Sequence, residues 1–133
     1  MIVSDIMRTN LKTIGTDATV SEVVDMFARS GLSALPVLDR HGRAVGICST
    51  RDVLEAEARC TDQLARELLF DRTLVLEVMQ PWPQTAGSQE DVRGVARRML
   101  AGKVKRLFVE DHGALVGVIS QTDIVAAVAA ARV

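Results

Sequence analysis

The sequence predicts an α/β (α+β) fold made of two copies of one β-α-β-β-α unit. Three observations carry this prediction. The chain aligns with itself at an offset of 72, placing Met7 on Met79, Thr13 on Thr85, Gly15 on Gly87, Val20 on Val92, Leu35 on Leu107 and Asp39 on Asp111. After "DRHG" against "DHG" the offset falls to 71, and Gly46, Ser49 and Asp52 then meet Gly117, Ser120 and Asp123. That single gap lies in a Gly-containing turn between two apolar runs, where hairpins tolerate length changes.

Each element follows from local pattern. A short extended piece surrounds Thr13. "TVSE" at 19–22 reads as a capping box opening a helix over 20–30, with Val20, Val23, Val24 and Phe27 at helical spacing. "ALPVLD" turns through "RHG" into "AVGIC", a hairpin. A second helix over 50–59 starts just after Ser49. Residues 60–76 form a partly helical connector with Leu64, Leu68 and Leu69 on one face. The second copy repeats the order: an extended piece at Thr85, a helix over 92–102 with Asp91 as N-cap, the hairpin "RLFVED"–"HG"–"ALVGVIS", and a helix over 121–131. The domain reading is repeat 1 at 1–59, connector at 60–76 and repeat 2 at 77–133.

Bulk composition narrows the function. The 133 residues are 48% hydrophobic, 25% charged and only 3% aromatic, with net charge −1. Few aromatics argue against a base-stacking surface, and near-neutrality argues against a global field toward nucleic acid or an anionic membrane. Any bound anion must be held by local groups. The two cysteines, Cys48 and Cys60, make no C-x-x-C pair, which suits a reducing cytoplasm. "MIVSDIMRTN" lacks the pattern of a secretory signal, and "IVAAVAAARV" is far short of the roughly 20 residues of a membrane span. The expectation is a cytoplasmic protein with no membrane and no nucleic-acid partner.

The chemistry-bearing stretches are "GICSTRD" at 46–52 and "GVISQTD" at 117–123. Each Ser falls where a strand ends and a helix begins, and the first turn of a helix exposes unpaired N–H groups and partial positive charge. Such a place binds anions, phosphate above all. The Ser hydroxyl can cap the helix or donate to a phosphate oxygen. The Asp three residues on can close a capping box or accept from a ribose diol. Gly46 and Gly117 leave room for a ligand or for another backbone.

These stretches, with "SDIM", "EVM", "TVSEVVDMF" and "SALPVLDRHGRAVGICSTRDV", resemble the tandem CBS domain pair, named for cystathionine β-synthase and also called the Bateman module. The resemblance spans nearly the whole chain outside the connector. It implies two repeats packed sheet against sheet with pseudo-twofold symmetry, forming two clefts for an adenosyl ligand. It gives the phosphate role to Ser49 and Ser120 and the ribose role to Asp52 and Asp123. Thr50, Arg51, Gln121 and Thr122 lie in the same segments as further contacts, and Thr13 and Thr85 head the repeats as additional candidates. The resemblance also implies that each cleft borrows from the opposite repeat. The Asp52 cleft would then face Lys103, Lys105 and Arg106, and the Asp123 cleft would face Ser33 with no base. Phosphorylated ligands should on that account prefer the Asp52 cleft. Phe108, standing where the first repeat has Pro36, should narrow the other.

The function implied is a stand-alone regulatory protein that binds an AMP-, ADP- or ATP-type nucleotide or S-adenosylmethionine and signals to an effector protein in trans. No cofactor is required, and the resemblance further implies a homodimer through the Ala- and Val-rich second helices. The alternative is a ligand-free dimerisation or protein-interaction module in which the Ser and Asp residues are helix caps. A nucleic-acid binder is the weaker rival. His41 and His112 fall in turns without partners at metal-ligand spacing, and no nucleophile–base pair is evident, so no metal and no catalytic residue is expected. Cys48 reads as a buried small residue, Trp82 as packing ahead of a place in the lining of the second cleft, and Arg97 and Arg98 as a solvated helix face.

Overall fold

A computed structural model describes residues 1–131; Arg132 and Val133, the end of repeat 2 and of "IVAAVAAARV", lie outside the described residues. The chain folds as two compact units, Lys12–Pro83 and Met1–Leu11 with the chain from Gln84 onward.

The unit Lys12–Pro83 contains β1 (Ile14–Gly15), α1 (Val20–Ser30), β2 (Ala34–Leu38), β3 (Ala44–Ser49), α2 (Thr50–Ala58), α3 (Gln63–Arg72), a 3₁₀ turn at Val75–Glu77 and β4 (Gln80–Pro81). Its sheet runs β1-β2-β3-β4, with β1 parallel to β2 and the remaining pairs antiparallel. Helix α1 forms where the apolar spacing predicts it and buries Val20, Val23 and Phe27. These residues join Leu35, Val37, Cys48, Val53, Leu69 and Val75 in one core. Full burial of a side chain of this size contributes about 1.5–3 kcal/mol, an upper figure because the unfolded chain is itself partly collapsed. The helix ends at Gly31, whose left-handed φ of 71° lets its N–H reach the Phe27 carbonyl.

Two local expectations are corrected here. Thr19 does cap α1, accepting from the Glu22 N–H at 3.3 Å, but the Glu22 carboxylate reaches the Thr19 hydroxyl at 3.4 Å, so the capping box is not closed through the backbone. The three leucines of the connector do not share a buried face. Leu69 enters the core while Leu64 and Leu68 are exposed, because an i, i+4 pair on α3 points away from the residue one further on.

The other unit holds a 3₁₀ turn at Val3–Asp5, β5 (Thr85–Ala86), α4 (Val92–Gly102), β6 (Arg106–Asp111), β7 (Ala114–Ser120) and α5 (Gln121–Ala131). The sheet order is β5-β6-β7, with β5 parallel to β6 and β6 antiparallel to β7. Its core is Val92, Val95, Met99, Leu107, Val109, Ile119 and Ile124, with Val3 fully buried among them. The first residues of the chain therefore serve the second repeat. Val3 N–H donates to the Glu90 carbonyl at 2.9 Å, and Arg8 exchanges both backbone hydrogen bonds with Val118 at 2.9 Å. Val75 and Gln80 do the same for the first unit, where Val75 N–H donates to the Ala18 carbonyl and β4 pairs with Gly46 and Ile47. Val3 and Val75, like Arg8 and Gln80, are 72 residues apart, so the repeat extends back to these segments.

The two hairpins differ where the alignment places its gap. His112 and Gly113 make a two-residue turn with φ of 52° and 80°. The longer first turn is held by Asp39, whose Oδ1 accepts from the backbone N–H groups of His41 and Arg43 at 2.8 and 3.0 Å. The expected solvated face of α4 holds for exposed Arg97. Arg98 instead turns inward and donates to the Thr85 carbonyl and the Glu90 carboxylate, tying α4 to β5.

Candidate functional site

Each unit carries one cage where its last long strand runs into a helix. In the first, Ser49 ends β3 with extended backbone and caps α2. Asp52 N–H donates to Ser49 Oγ at 3.2 Å, and Ser49 N–H donates to Asp52 Oδ2 at 2.8 Å, a closed capping box. The Ser49 hydroxyl also donates to Oδ2, at 3.0 Å. The other oxygen, Oδ1, accepts from Gln80 Nε2 at 3.1 Å. Asp52 is thereby almost entirely buried, with 7% of its surface exposed. Four groups of the sequence prediction thus divide sharply: Ser49 and Asp52 are joined, whereas Thr50 and Arg51 are exposed and Arg51 pairs with Glu55 at 2.8 Å. The Thr50 N–H is taken by the Ser33 carbonyl at 2.9 Å.

The second cage repeats the first at the start of α5. Asp123 N–H donates to Ser120 Oγ at 3.1 Å and Ser120 N–H to Asp123 Oδ2 at 3.0 Å. Gln121 N–H donates to the Lys105 carbonyl at 2.9 Å and its side-chain amide to the Val104 carbonyl at 3.0 Å, while Thr122 is exposed. Where the first cage has Gln80, the second has Arg8, whose Nε donates to Asp123 Oδ1 at 3.0 Å. Burial alone would raise the Asp123 pKa. Donation from Ser120 and the Arg8 guanidinium outweigh it and hold the carboxyl below its ordinary value.

Arg8 and Gln80 are the site residues that sequence reasoning missed. The offset of 72 that sets Met7 on Met79 also sets Arg8 on Gln80, which marks the two as equivalent but not as partners of the aspartates. Asp123 thus has a base beside it within its own unit, a contact the sequence reading did not include. Lys105 and Arg106 also take a definite place within their own unit. Both are exposed, and Arg106 stands directly across from Ser120 in the β6–β7 register.

The two glycines are explained by backbone approach. A Cβ on Gly46 would sit 2.8 Å from the Gln80 carbonyl oxygen and collide with Met79; on Gly117 it would sit 2.9 Å from the Arg8 carbonyl and 2.7 Å from Met7 Sδ. The segments that deliver Gln80 and Arg8 to the aspartates are thus the ones that require glycine. Thr13 precedes β1 and Thr85 lies in β5 opposite Phe108; both are half-buried, two strands from the strand that ends in the cage serine. Cys48, beside the first cage, is fully buried, and burial with the nearby Asp52 charge pushes its thiol up to about 11. Among the described residues no group of His, Cys, Asp and Glu is arranged to hold a metal ion, and no helix is long and apolar enough to cross a membrane.

The profile of the CBS domain matches residues 3–59 and 75–130. The starts of these two segments coincide with Val3 and Val75, the residues that each enter a core. The chain is 34% identical over 116 residues to the human 5'-AMP-activated protein kinase subunit gamma-3, covering 83% of this chain and 23% of that subunit. It spans under half the length of several curated relatives, that subunit included. Among solved structures, CBSX2 of Arabidopsis thaliana in complex with AMP superposes with a TM-score of 0.80 at 24% identity, covering 99% of this chain and 98% of that one. The CBS domain pair of protein MJ0100 in complex with 5-methylthioadenosine and S-adenosyl-L-methionine superposes with a TM-score of 0.74 at 23% identity, covering 98% of both. At these identities the two structures establish the shared fold.

Proposed function

Because the chain belongs to the CBS domain family, we propose that it is a regulatory module that binds an adenosyl ligand and reports its presence to a partner protein. The observation that carries this reading is the pair of matched cages. Each sets a Ser hydroxyl, a helix N-terminus and a nearly buried Asp within one turn, the combination that suits a phosphate and a ribose diol. The neighbours solved with AMP and with S-adenosyl-L-methionine support the ligand class. Ser49, Thr50, Arg51, Asp52, Ser120, Gln121, Thr122 and Asp123 are the proposed contacts, with Thr13, Thr85, Lys105 and Arg106 contributing. The repeats are 1–59 and 77–133, joined by 60–76.

The mechanism is differential binding. A ligand that prefers one packing of the module shifts the population toward it, and the partner reads that shift. No chemical step belongs to this reading. The module acts as a homodimer, for which the exposed Val125 and Val128 of α5 and Leu54 of α2 supply apolar surface.

A second reading rests on a specific observation. Both aspartates have their oxygens occupied by groups of their own unit, as helix caps would. In that case the chain only dimerises or binds protein. A thermal-shift panel of AMP, ATP, S-adenosylmethionine and adenosine separates the two. The sensor gains about 2.7 kcal/mol of stability at a hundredfold excess over Kd, whereas the interaction module is unmoved by any of the four.

A further inference from the structure

The two cages are alike in geometry and differ in the charge of the residues around them. Three basic residues hold positions beside Ser120 and Asp123: the Arg8 guanidinium pairs with the aspartate, the Lys105 backbone carbonyl accepts from the first N–H of α5, and Arg106 lies across from Ser120 in the β6–β7 register. The residues 72 earlier or later in the repeat are Gln80, Ser33 and Ala34, which occupy the same three places about Ser49 and Asp52. Three cations on one side thus correspond to three neutral residues on the other. Arg51, in the first motif, is drawn along its helix to Glu55 and has neutral Thr122 as its counterpart.

Resting on the adenosyl reading, we propose that Arg8 and Gln80 are the specificity-determining pair of this module. Arg8 makes the Ser120–Asp123 site the one for phosphorylated nucleotides, and Gln80 leaves the Ser49–Asp52 site for an uncharged or cationic adenosyl ligand. The Arg8 side chain is 72% exposed while that of Asp123 is 10% exposed, so the guanidinium is held at one atom and is otherwise open to solvent. When a ribose diol takes Asp123 Oδ1, Arg8 gives up that bond and turns to the nearby phosphate. The ion pair is thus exchanged rather than lost. An uncharged adenosine breaks the same pair and offers nothing in return. At Asp52 a ligand displaces only a neutral amide, and the buried carboxylate stays uncompensated, which disfavours a phosphate dianion and favours a cation such as a sulfonium. This ranking reverses the one expected from sequence, which assigned Lys105 and Arg106 to the Asp52 side.

The test is calorimetric titration of the full chain with AMP, adenosine and S-adenosylmethionine, using wild type, Arg8→Gln, Gln80→Arg and the double exchange. Exposed charges are screened, so the effect is about threefold to tenfold per site. Arg8→Gln is expected to weaken AMP by that factor while leaving adenosine unchanged or slightly tighter. Gln80→Arg is expected to strengthen AMP and weaken S-adenosylmethionine at a site that Asp52→Asn removes. Melting midpoints confirm that each variant is folded, since both side chains lie at the surface. An unchanged AMP-to-adenosine ratio in Arg8→Gln overturns the charge assignment alone. Failure of wild type to bind any of the three overturns the adenosyl reading and this assignment with it.

Discussion

Replacing each cage aspartate by asparagine should have unequal effects on stability, and the structure says which is larger. In Asp52→Asn the retained oxygen still accepts from Ser49 N–H, and the new amide faces Gln80 Nε2, now 3.1 Å from the other carboxylate oxygen. The Gln80 amide can flip and present its carbonyl, so the polar network closes again. What is lost is the charge at the helix N-terminus and the charge assistance of the hydrogen bonds, about 1 kcal/mol in total. In Asp123→Asn no flip helps, because a guanidinium has no acceptor and Arg8 Nε–H is left facing an N–H donor. That conflict and the lost exposed ion pair add roughly 0.5–1 kcal/mol. At about 3–5 °C per kcal/mol for a chain of this size, Asp123→Asn should melt a few degrees below Asp52→Asn. Adding Arg8→Gln to Asp123→Asn should recover most of the difference, a coupling that a double-mutant cycle reads directly. The pH dependence gives an independent check. The folded Asp123 pKa is depressed, so its contribution is fully present above the unfolded value near 3.8 and is lost as pH falls through the folded value. Melting curves taken from pH 7 downward should therefore show a constant gap between wild type and Asp123→Asn above the unfolded value and a narrowing gap below it. Equal melting of the two Asn variants, or no rescue by Arg8→Gln, would refute this account of the second cage.

Three further outcomes are expected. Gly46→Ala and Gly117→Ala should each cost about 1–3 kcal/mol, since the added methyl meets a backbone carbonyl within 3 Å; neutral substitutions in thermal unfolding would contradict the close approach. Light scattering at micromolar concentration should give twice the chain mass, and Leu54→Glu or Val128→Glu should lower it; a wild-type monomer would remove the proposed dimer. Cys48 should resist alkylation at pH 8 in the folded protein while half-buried Cys60 reacts first, as mass spectrometry of the labelled peptides would show.

The parts of the fold that were legible in sequence are those with a local signal. Helix α1 is written in the spacing of Val20, Val23 and Phe27, and the hairpins in the apolar runs around Gly42 and Gly113. The cages were legible as serine–aspartate pairs because both residues lie within one helical turn. Arg8 and Gln80 were not, since their contacts with Asp123 and Asp52 close over 115 and 28 residues and depend on which segment fills the space beside a glycine. Sequence left open whether Gly46 and Gly117 admit a ligand or a backbone; the segments at Met79–Gln80 and Met7–Arg8 answer that within each unit. The exposure of Leu64 and Leu68 was hidden for a similar reason, because apolar identity does not say which side of a short helix the core lies on. Arg98 reads as solvent-facing from its neighbours, yet its partner is the Thr85 carbonyl, 13 residues away.

Whether the serine–aspartate cages bind an adenosyl ligand is read from equilibrium binding to wild type and to the Asp52→Asn/Asp123→Asn double variant. Wild type should bind AMP or S-adenosylmethionine saturably. The double variant should lose that binding by at least tenfold while still unfolding in a single cooperative transition. Wild-type binding that survives both substitutions unchanged would place the ligand elsewhere and contradict the claim.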